Sequence, residues 1–346
     1  MLPSSQAHVR DSVAQIDANT WLIGTQNIIQ KLQHDEIPCE NRPNQRCMWR
    51  NDSDGAYYML YPAPCHLPKV SPLPAASSDS HVRQIHDAGD VSAVFKFGHS
   101  LILKVKIRFT SEQKGDSTAV LTQPYEHETL AFLSEQQLSF KVPRVLFHAQ
   151  EGNKTFLLEP CMPGQTVNEA WWTMTPAEKD GVATRVAAIV NELTAFRADT
   201  FTSGAADYDW IDPWREDEDK IRTLGPLKEH CEALGMDCSV YILSHNDLGP
   251  TNVMIEGDQV FIIDWDMAGY CPLEWIRTKF AICGVMAAER VLKKGDDSLS
   301  VEIDHQYRKM IEQKLGEMGF PEVIDAYNKL HDLREEEWKK RRPWLR

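Results

Sequence analysis

The spacing of apolar positions divides the chain into regions of different character. The first 80 residues hold an amphipathic stretch, Val13–Leu32, and a segment in which prolines recur, Pro62–Pro74. Proline lacks a backbone donor and fixes φ, so this segment excludes regular helix and predicts an extended linker or a wrapping arm. A domain boundary is therefore predicted near Ser80, with residues 1–80 as an N-terminal extension.

Patterns typical of strands dominate the next 80 residues. Apolar runs separated by turn signals at Gly89, Gly98 and Gly152 predict an antiparallel meander, one helix and two further strands. In chain order these elements are the strands Val82–Ile85, Val91–Phe97 and Leu101–Ile107, the helix Tyr125–Gln137, and the strands Arg144–His148 and Lys154–Leu158.

The pattern becomes helical after this. Thr175-Pro176-Ala177-Glu178 offers an N-cap, a proline in the first turn and a capping-box glutamate. Helical periodicity predicts the helices Thr175–Arg197, Pro272–Lys293, Asp304–Met318 and Pro321–Lys340. Strands that precede helices, instead of alternating with them, predict an α+β protein in two lobes.

Charge and composition disfavour several classes of binding partner and predict where the protein is located. The chain has 346 residues and a net charge of −14, which disfavours nucleic acid and anionic membranes as partners. Its first residues lack a secretory signal, and no apolar run is long enough to span a bilayer, so a cytoplasmic location is predicted. The 8 cysteines form no C-x-x-C pair and are expected to be reduced thiols.

The stretch from Ser244 to Asp264 holds the most specific pattern. Two apolar runs flank Glu256-Gly257-Asp258 and predict a β-hairpin, which would bring Asn252 and Asp264 side by side. An amide oxygen and a carboxylate are ligands that Mg²⁺ takes together with waters and phosphates. Asp247 precedes Asn252 by five positions in a loop that Gly249 and Pro250 keep out of helix, so it can face the same point. The alternative is a surface hairpin with chance acids.

This H-x-D-x-x-x-x-N loop with its later aspartate resembles the catalytic and metal loops of protein kinases. In the form HNDLGPTN…IIDWD it is similar to the aminoglycoside phosphotransferase and choline kinase branch, especially its fungal members. The resemblance covers roughly residues 81–340. It implies a bilobal protein-kinase-like fold, with residues 81–158 as a small antiparallel β lobe carrying one helix and residues 159–346 as the hinge and a mainly α lobe.

The resemblance also implies roles for residues of the larger lobe. Asp247 would be the catalytic base and His245 would brace its loop, while Asn252 and Asp264 would bind magnesium.

In the smaller lobe, Lys104 on the third strand would hold the α- and β-phosphates of ATP, with Lys106 on the same face as the fallback. An exposed edge lysine is the alternative interpretation. A glutamate of the following helix would pair with this lysine, and the spacing favours Glu126 over Glu128, although both suit an ordinary solvated helix face.

Two further segments are implied to bind the nucleotide. The turn Gly89–Ser92 replaces a glycine-rich phosphate loop, and Ser92 is its candidate contact. The segment Leu157–Gly164 resembles the hinge whose backbone binds adenine, which places Glu159 and Cys161 there; a plain Pro/Gly loop is the alternative.

Together these residues predict an enzyme that transfers the γ-phosphoryl group of ATP, with Mg²⁺, to a hydroxyl of a small molecule. Acidic and aromatic residues within Asp207–Asp219 suit an amine-bearing acceptor, although a solvated loop explains them as well. The alternatives from other classes are a nucleotide-binding or regulatory module without phosphotransfer, and an ATP-using enzyme of other chemistry.

Overall fold

The computed structural model describes residues 8–33, 47–51, 55–74, 80–107, 125–202, 224–282 and 298–341. Contacts divide the chain into two compact units. Unit 1 comprises Met1–Gln113 with Pro143–Met162, and unit 2 comprises Lys114–Val142 with Pro163–Arg346. Antiparallel sheets and helices in two units confirm the predicted α+β class. In the part of the chain that is described, no helix is long and apolar enough to cross a membrane.

Unit 1 begins with a six-stranded antiparallel sheet, called here the N-terminal sheet, in the order β4-β5-β3-β2-β1-β6. A short 3-10 turn, Val9–Asp11, precedes it. Its strands are β1 (Val13–Asp17), β2 (Thr20–Ile23), β3 (Asn27–Gln33), β4 (Cys47–Asn51), β5 (Ala56–Pro62) and β6 (Ser71–Pro72).

The N-terminal sheet corrects the prediction for residues 1–80. The amphipathic stretch forms the three strands β1 to β3, and the proline-rich segment contributes β6, which pairs with β1 through Gln15 and Ser71. Proline is tolerated there because β6 is an edge strand. The division between the compact units does not fall at Ser80, since residues on both sides of it belong to unit 1.

The second sheet of unit 1 has the order β10-β11-β9-β8-β7 and is called here the five-stranded sheet. It contains β7 (Val82–Asp87), β8 (Ser92–Phe97), β9 (Leu101–Ile107), β10 (Phe147–Glu151) and β11 (Lys154–Pro160). The predicted meander and the two later strands are all present. Strand β10 begins three residues after its predicted start, because its register is set by the turn at Gly152, whose φ is +61°.

The two sheets share one apolar core. Alternate residues of the N-terminal sheet pack with alternate residues of the five-stranded sheet. Trp21 is central: its ring stacks on His81 at 5.4 Å between centroids and meets Phe97 edge-on at 5.7 Å. At the edge of this core, Glu151 Oε2 accepts hydrogen bonds from the Thr25 amide (2.8 Å) and hydroxyl (3.0 Å). The N-terminal sheet therefore covers one face of the five-stranded sheet.

Unit 2 contains the helices and two small sheets. Its helices are α1 (Glu126–Ser134), α2 (Val167–Ala170), α3 (Pro176–Leu193), α4 (Leu224–Ala233), α5 (described over residues 273–282), α6 (Ser298–Glu317) and α7 (Ile324–Arg341). Its small sheets are formed by β12 (Gln165–Thr166), β13 (Arg197–Ala198), β14 (Tyr241–Ser244), β15 (Val253–Glu256), β16 (Gln259–Ile262) and β17 (Gly269–Cys271). The capping box predicted at Thr175 and Glu178 is present at the start of α3.

Helix α1 belongs to unit 2, whereas the sequence prediction placed it in the lobe of residues 81–158. The reason is its packing: Phe132 meets Phe196 edge-on, with centroids 5.2 Å apart, and the first turn of α1 contacts the 3-10 turn Trp265–Met267. The long helix α3 packs on α6 through apolar residues at helical spacing. In α6 these are Ile303, Tyr307, Ile311 and Leu315, all nearly inaccessible.

Candidate active site

The loop after β14 and the loop after β16 are joined by backbone pairing in unit 2. Strand β14 pairs with β17 through Ser244 and Gly269, while β15 and β16 form the predicted hairpin with Val253 opposite Ile262. Beyond that pair, the Ile263 amide donates to the Asn252 carbonyl at 3.0 Å. The hairpin register therefore brings Asp264 next to Asn252, as the sequence predicts.

Asp247 and Asn252 are joined directly. The Asn252 side-chain Nδ2 donates to the Asp247 carbonyl at 2.8 Å and to its carboxylate Oδ2 at 3.1 Å. Asn252 is 8% exposed, so these bonds are largely shielded from water. The amide therefore fixes the orientation of the carboxylate.

His245 links the two loops through both nitrogens of its ring. Its Nε2 lies 2.9 Å from the Ile263 carbonyl, which can only accept, so Nε2 carries the proton. The other ring nitrogen, Nδ1, accepts the Asp247 amide at 3.2 Å. Burial lowers the pKa of His245, which agrees with the neutral ring that this pattern requires. The imidazole also packs against Trp265, with centroids 4.6 Å apart.

Backbone strain marks the same two loops. Among the described residues other than glycine, positive φ occurs at Asn246 (+62°) and Asp264 (+63°). Asn and Asp tolerate the left-handed region better than other side chains, but each such residue still costs about 1 kcal/mol or more. Strain of this kind persists where surrounding contacts impose it, and it is concentrated at functional sites.

Magnesium fits the donor chemistry of this site. Because the Asn252 nitrogen is turned to Asp247, its Oδ1 is the atom left for a cation, and it makes no hydrogen bond within the described residues. One carboxylate and one amide oxygen, completed by waters and phosphates, form a usual set for Mg²⁺. A cage of three or more His, Cys, Asp or Glu side chains is absent from the described part of the chain.

In unit 1, Lys104 is buried in an ion pair with Glu159. Its Nζ lies 3.4 Å from Glu159 Oε1, and the two side chains are 7% and 4% exposed. In the register of β9 and β11, Lys104 faces Leu157, which makes Glu159 the diagonal neighbour on the same face. Glu159 therefore lies inside β11 and not in the hinge where the sequence prediction placed it.

Ser92 and Lys106 lie on the same face of the five-stranded sheet as Lys104. Ser92 is directly opposite Lys106, and Val94 is opposite Lys104. Since side chains alternate along a strand, these residues point away from the core shared with the N-terminal sheet. The prediction that Lys106 projects from the face of Lys104 is confirmed by the register.

The predicted hinge contains the point where the chain passes between the units, after Met162. Cys161 lies next to this point, and its amide donates to the Ser100 carbonyl at 2.6 Å. That amide is therefore used within unit 1, while adenine binding by the backbone of this segment stays a prediction. After the passage, Gly164 has φ +87°, and a Cβ built there would lie 2.2 Å from the Ile255 carbonyl.

The two candidate glutamates of α1 have different partners in unit 2. Glu126 is 6% exposed, and its Oε1 accepts the Trp265 amide at 3.1 Å, directly after Asp264. Glu128 Oε2 accepts the Tyr125 amide at 3.4 Å and so caps the helix. Glu126 is thereby tied to the loop that carries Asp264.

Comparison with known proteins shows the family to which the chain belongs. A family model described as the phosphotransferase enzyme family matches residues 72–275, more than half of the chain. The chain belongs to the phosphotransferase enzyme family. This confirms the expected relation to aminoglycoside phosphotransferases and the prediction of an enzyme of this class, while the fungal branch stays a prediction.

Solved structures similar to this phosphotransferase are distant in sequence. The gentamicin complex of APH(2'')-IIa is 17% identical over 75% of this chain and 82% of that chain, with a TM-score of 0.43. An aminoglycoside phosphotransferase, APH(3'')-Id from Streptomyces rimosus, is 17% identical over 72% and 93%, with a TM-score of 0.39. A choline/ethanolamine kinase family protein from Mesorhizobium loti is 14% identical over 78% and 82%, also at 0.39. No curated protein matches the sequence significantly.

Sequence reasoning missed two residues that contact the candidate site, Asn246 and Lys279. Asn246 holds a strained conformation directly before Asp247, and the buried Lys279 of α5 donates a hydrogen bond to its carbonyl. The available signal was helical spacing, which places Lys279 on the same helix face as the apolar residues Ile276 and Ile282. The acidic segment Asp207–Asp219, proposed from sequence to face an amine, lies outside the described residues.

Proposed function

We propose that the protein transfers the γ-phosphoryl group of ATP to a hydroxyl of a small molecule. The observation that carries this proposal is the direct bond between Asp247 and Asn252, with Asp264 brought alongside by the hairpin register, in a chain of the phosphotransferase family. Phosphoryl transfer asks a protein mainly for positioning and charge neutralisation, and these residues can supply both.

In this proposal, Asp247 orients the acceptor hydroxyl and takes its proton. The hydroxyl oxygen forms a bond to the γ-phosphorus, the bond from that phosphorus to the bridging oxygen breaks, and ADP leaves. Asn252 holds the Asp247 carboxylate through Nδ2, which limits the number of orientations it can adopt. His245 keeps the loop in place as a neutral ring and takes no part in the proton transfer.

Asn252 through Oδ1 and Asp264 through its carboxylate would hold magnesium. When bound, this ion neutralises negative charge on the β- and γ-phosphates. Lys104 would bind the α- and β-phosphates from the face of the five-stranded sheet, with Ser92 and Lys106 beside it. The buried Glu159 supports this role, because its carboxylate lies 3.4 Å from the Lys104 ammonium and limits the orientations of that side chain. A cytoplasmic location and an amine-bearing acceptor remain predictions from the sequence.

The test follows labelled γ-phosphate from Mg·ATP into small metabolites of a cell extract. Wild type should label a metabolite, and Asp247→Asn should lower the rate about 10²–10⁴-fold, the usual contribution of a general base, while ATP still binds. Asp264→Asn should instead lose magnesium-dependent ATP binding. Asp258→Asn, at the exposed tip of the same hairpin, is the matched control and should behave as wild type.

Normal turnover by Asp247→Asn would refute the assigned mechanism. If wild type binds Mg·ATP and no label moves, the chain is a nucleotide-binding module or an enzyme of other chemistry.

A further inference from the structure

Asn246, the residue before Asp247, is held by a hydrogen bond at every polar atom. Its amide donates to Ser244 Oγ at 3.3 Å, and its Nδ2 donates to the Met267 carbonyl at 3.2 Å. Its Oδ1 accepts the Cys271 thiol at 3.9 Å, and its carbonyl accepts the Lys279 ammonium. These bonds tie the loop after β14 to the loop after β16, to β17 and to α5, all within unit 2.

Lys279 is the charged member of this set. It is 8% exposed and is flanked on α5 by Thr278 and Phe280, which are 0% and 7% exposed. Removing an ammonium from water costs several kcal/mol unless it finds good acceptors, so an apolar side chain would be the cheaper choice for packing alone. The position is therefore explained better by the acceptor that Lys279 reaches than by burial.

The acceptor of the Lys279 hydrogen bond, the Asn246 carbonyl, belongs to the peptide group that joins residues 246 and 247. The carbonyl of Asn246 and the amide of Asp247 belong to one planar group, so fixing both ends fixes the plane. Lys279 binds the carbonyl end, and His245 Nδ1 binds the amide end at 3.2 Å. The plane of this peptide fixes the N–Cα bond of Asp247 and so limits the directions in which its side chain can leave the backbone.

We infer that Lys279 is a positioning residue, which holds the strained Asn246 and thereby aims the Asp247 carboxylate. The inference deepens the proposed function and rests on it for the catalytic consequence. Its structural part, the locking of the loop, does not depend on turnover. The two parts are therefore tested by separate measurements.

The first measurement is backbone hydrogen exchange of peptides covering residues 243–252 in the full chain. Lys279→Met keeps the volume and the apolar packing but removes the donor, so exchange of the loop should rise at least tenfold. Lys314→Met is the matched control, because Lys314 pairs with Asp180 at 2.8 Å on another face of unit 2. Exchange of the loop in this control should equal that of wild type.

The second measurement is the transfer assay described above together with ATP affinity. Lys279→Met should lower the transfer rate at least thirtyfold and leave the Kd of ATP within threefold of wild type. Lys279→Arg restores a donor, so its rate and loop exchange should lie within about threefold of wild type. A purely structural lysine would not separate rate from affinity in this way.

Loop exchange in Lys279→Met equal to that of wild type would overturn the inference, as would unchanged transfer. If the Met variant does not fold, the Arg variant decides: loop exchange raised tenfold in a folded Arg protein overturns the inference. If wild type transfers no label, the proposed function fails, while the exchange experiment still decides whether Lys279 locks the loop.

Discussion

Truncation of Trp21 tests whether the N-terminal sheet is an integral part of unit 1. The side chain is 2% exposed and contacts His81 and Phe97, both beyond the boundary predicted at Ser80. Replacing a buried tryptophan by alanine costs about 3–5 kcal/mol, of which the aromatic geometry supplies about 0.5–1.5. For a unit of this size we expect Tm to fall by about 10 °C.

Hydrogen exchange measures which strands lose stability in the Trp21→Ala variant. If the two sheets share one core, Trp21→Ala lowers protection in β2 and also in β8 and β9, by about 10²–10⁴-fold. Trp172→Ala is the matched control, because Trp172 is 49% exposed and its loss should cost under about 1 kcal/mol. Loss of protection confined to the N-terminal sheet, with β8 and β9 unchanged, would refute the shared core. The N-terminal sheet would then be a separate extension, as the sequence predicts.

Two further predictions concern single residues of unit 2. Gly164→Ala should destabilise the protein by about 2 kcal/mol or more in urea denaturation, because φ is +87° and the new Cβ would collide with the Ile255 carbonyl. Gly181→Ala, in open space on α3, is the control and should stabilise the protein by about 0.5–1 kcal/mol. Equal effects of the two substitutions would contradict the argument. Tyr307→Phe should raise stability by about 1 kcal/mol at pH 7, since the buried hydroxyl has no hydrogen-bond partner among the described residues. Burial raises the pKa of Tyr307, so the hydroxyl loses its proton at lower pH in the unfolded chain than in the folded one, and stability falls as the pH rises above 10. If the Phe variant loses as much stability above pH 10 as wild type does, Tyr307 is not the cause.

The hairpin of β15 and β16 could be predicted because its signals are local. Two apolar runs around Gly257 determine the register, and the register alone brings Asn252 to Asp264. The strands β8 and β9 were predicted for the same reason, since each alternates or is bounded by glycine. Such elements need no knowledge of the rest of the fold.

The N-terminal sheet could not be predicted in this way because its central strands are buried on both faces. Neighbouring residues such as Ile28 and Ile29, or Met59 and Leu60, are all inaccessible, so the alternation typical of a half-buried strand is missing. The edge strand β6 was not predicted because Pro72 argues against a strand at that position.

The partners of buried charges were also beyond sequence reasoning. Glu159 meets Lys104 only through the pairing of β9 with β11, and Lys279 meets Asn246 only after α5 has packed. In both cases, residues far apart in sequence become partners through tertiary packing. A family pattern suggests what such residues do, but not which neighbour holds them.

The core shared by the two sheets has a consequence for synthesis on the ribosome. Strands β1 to β6 emerge first, but their inner face is not fully covered until β11 has been made, about 85 residues later. At about 5–20 residues per second, this leaves the apolar face exposed for roughly 4–17 s. We therefore expect the nascent chain to bind chaperones during that interval, and a chain truncated before β11 to be insoluble.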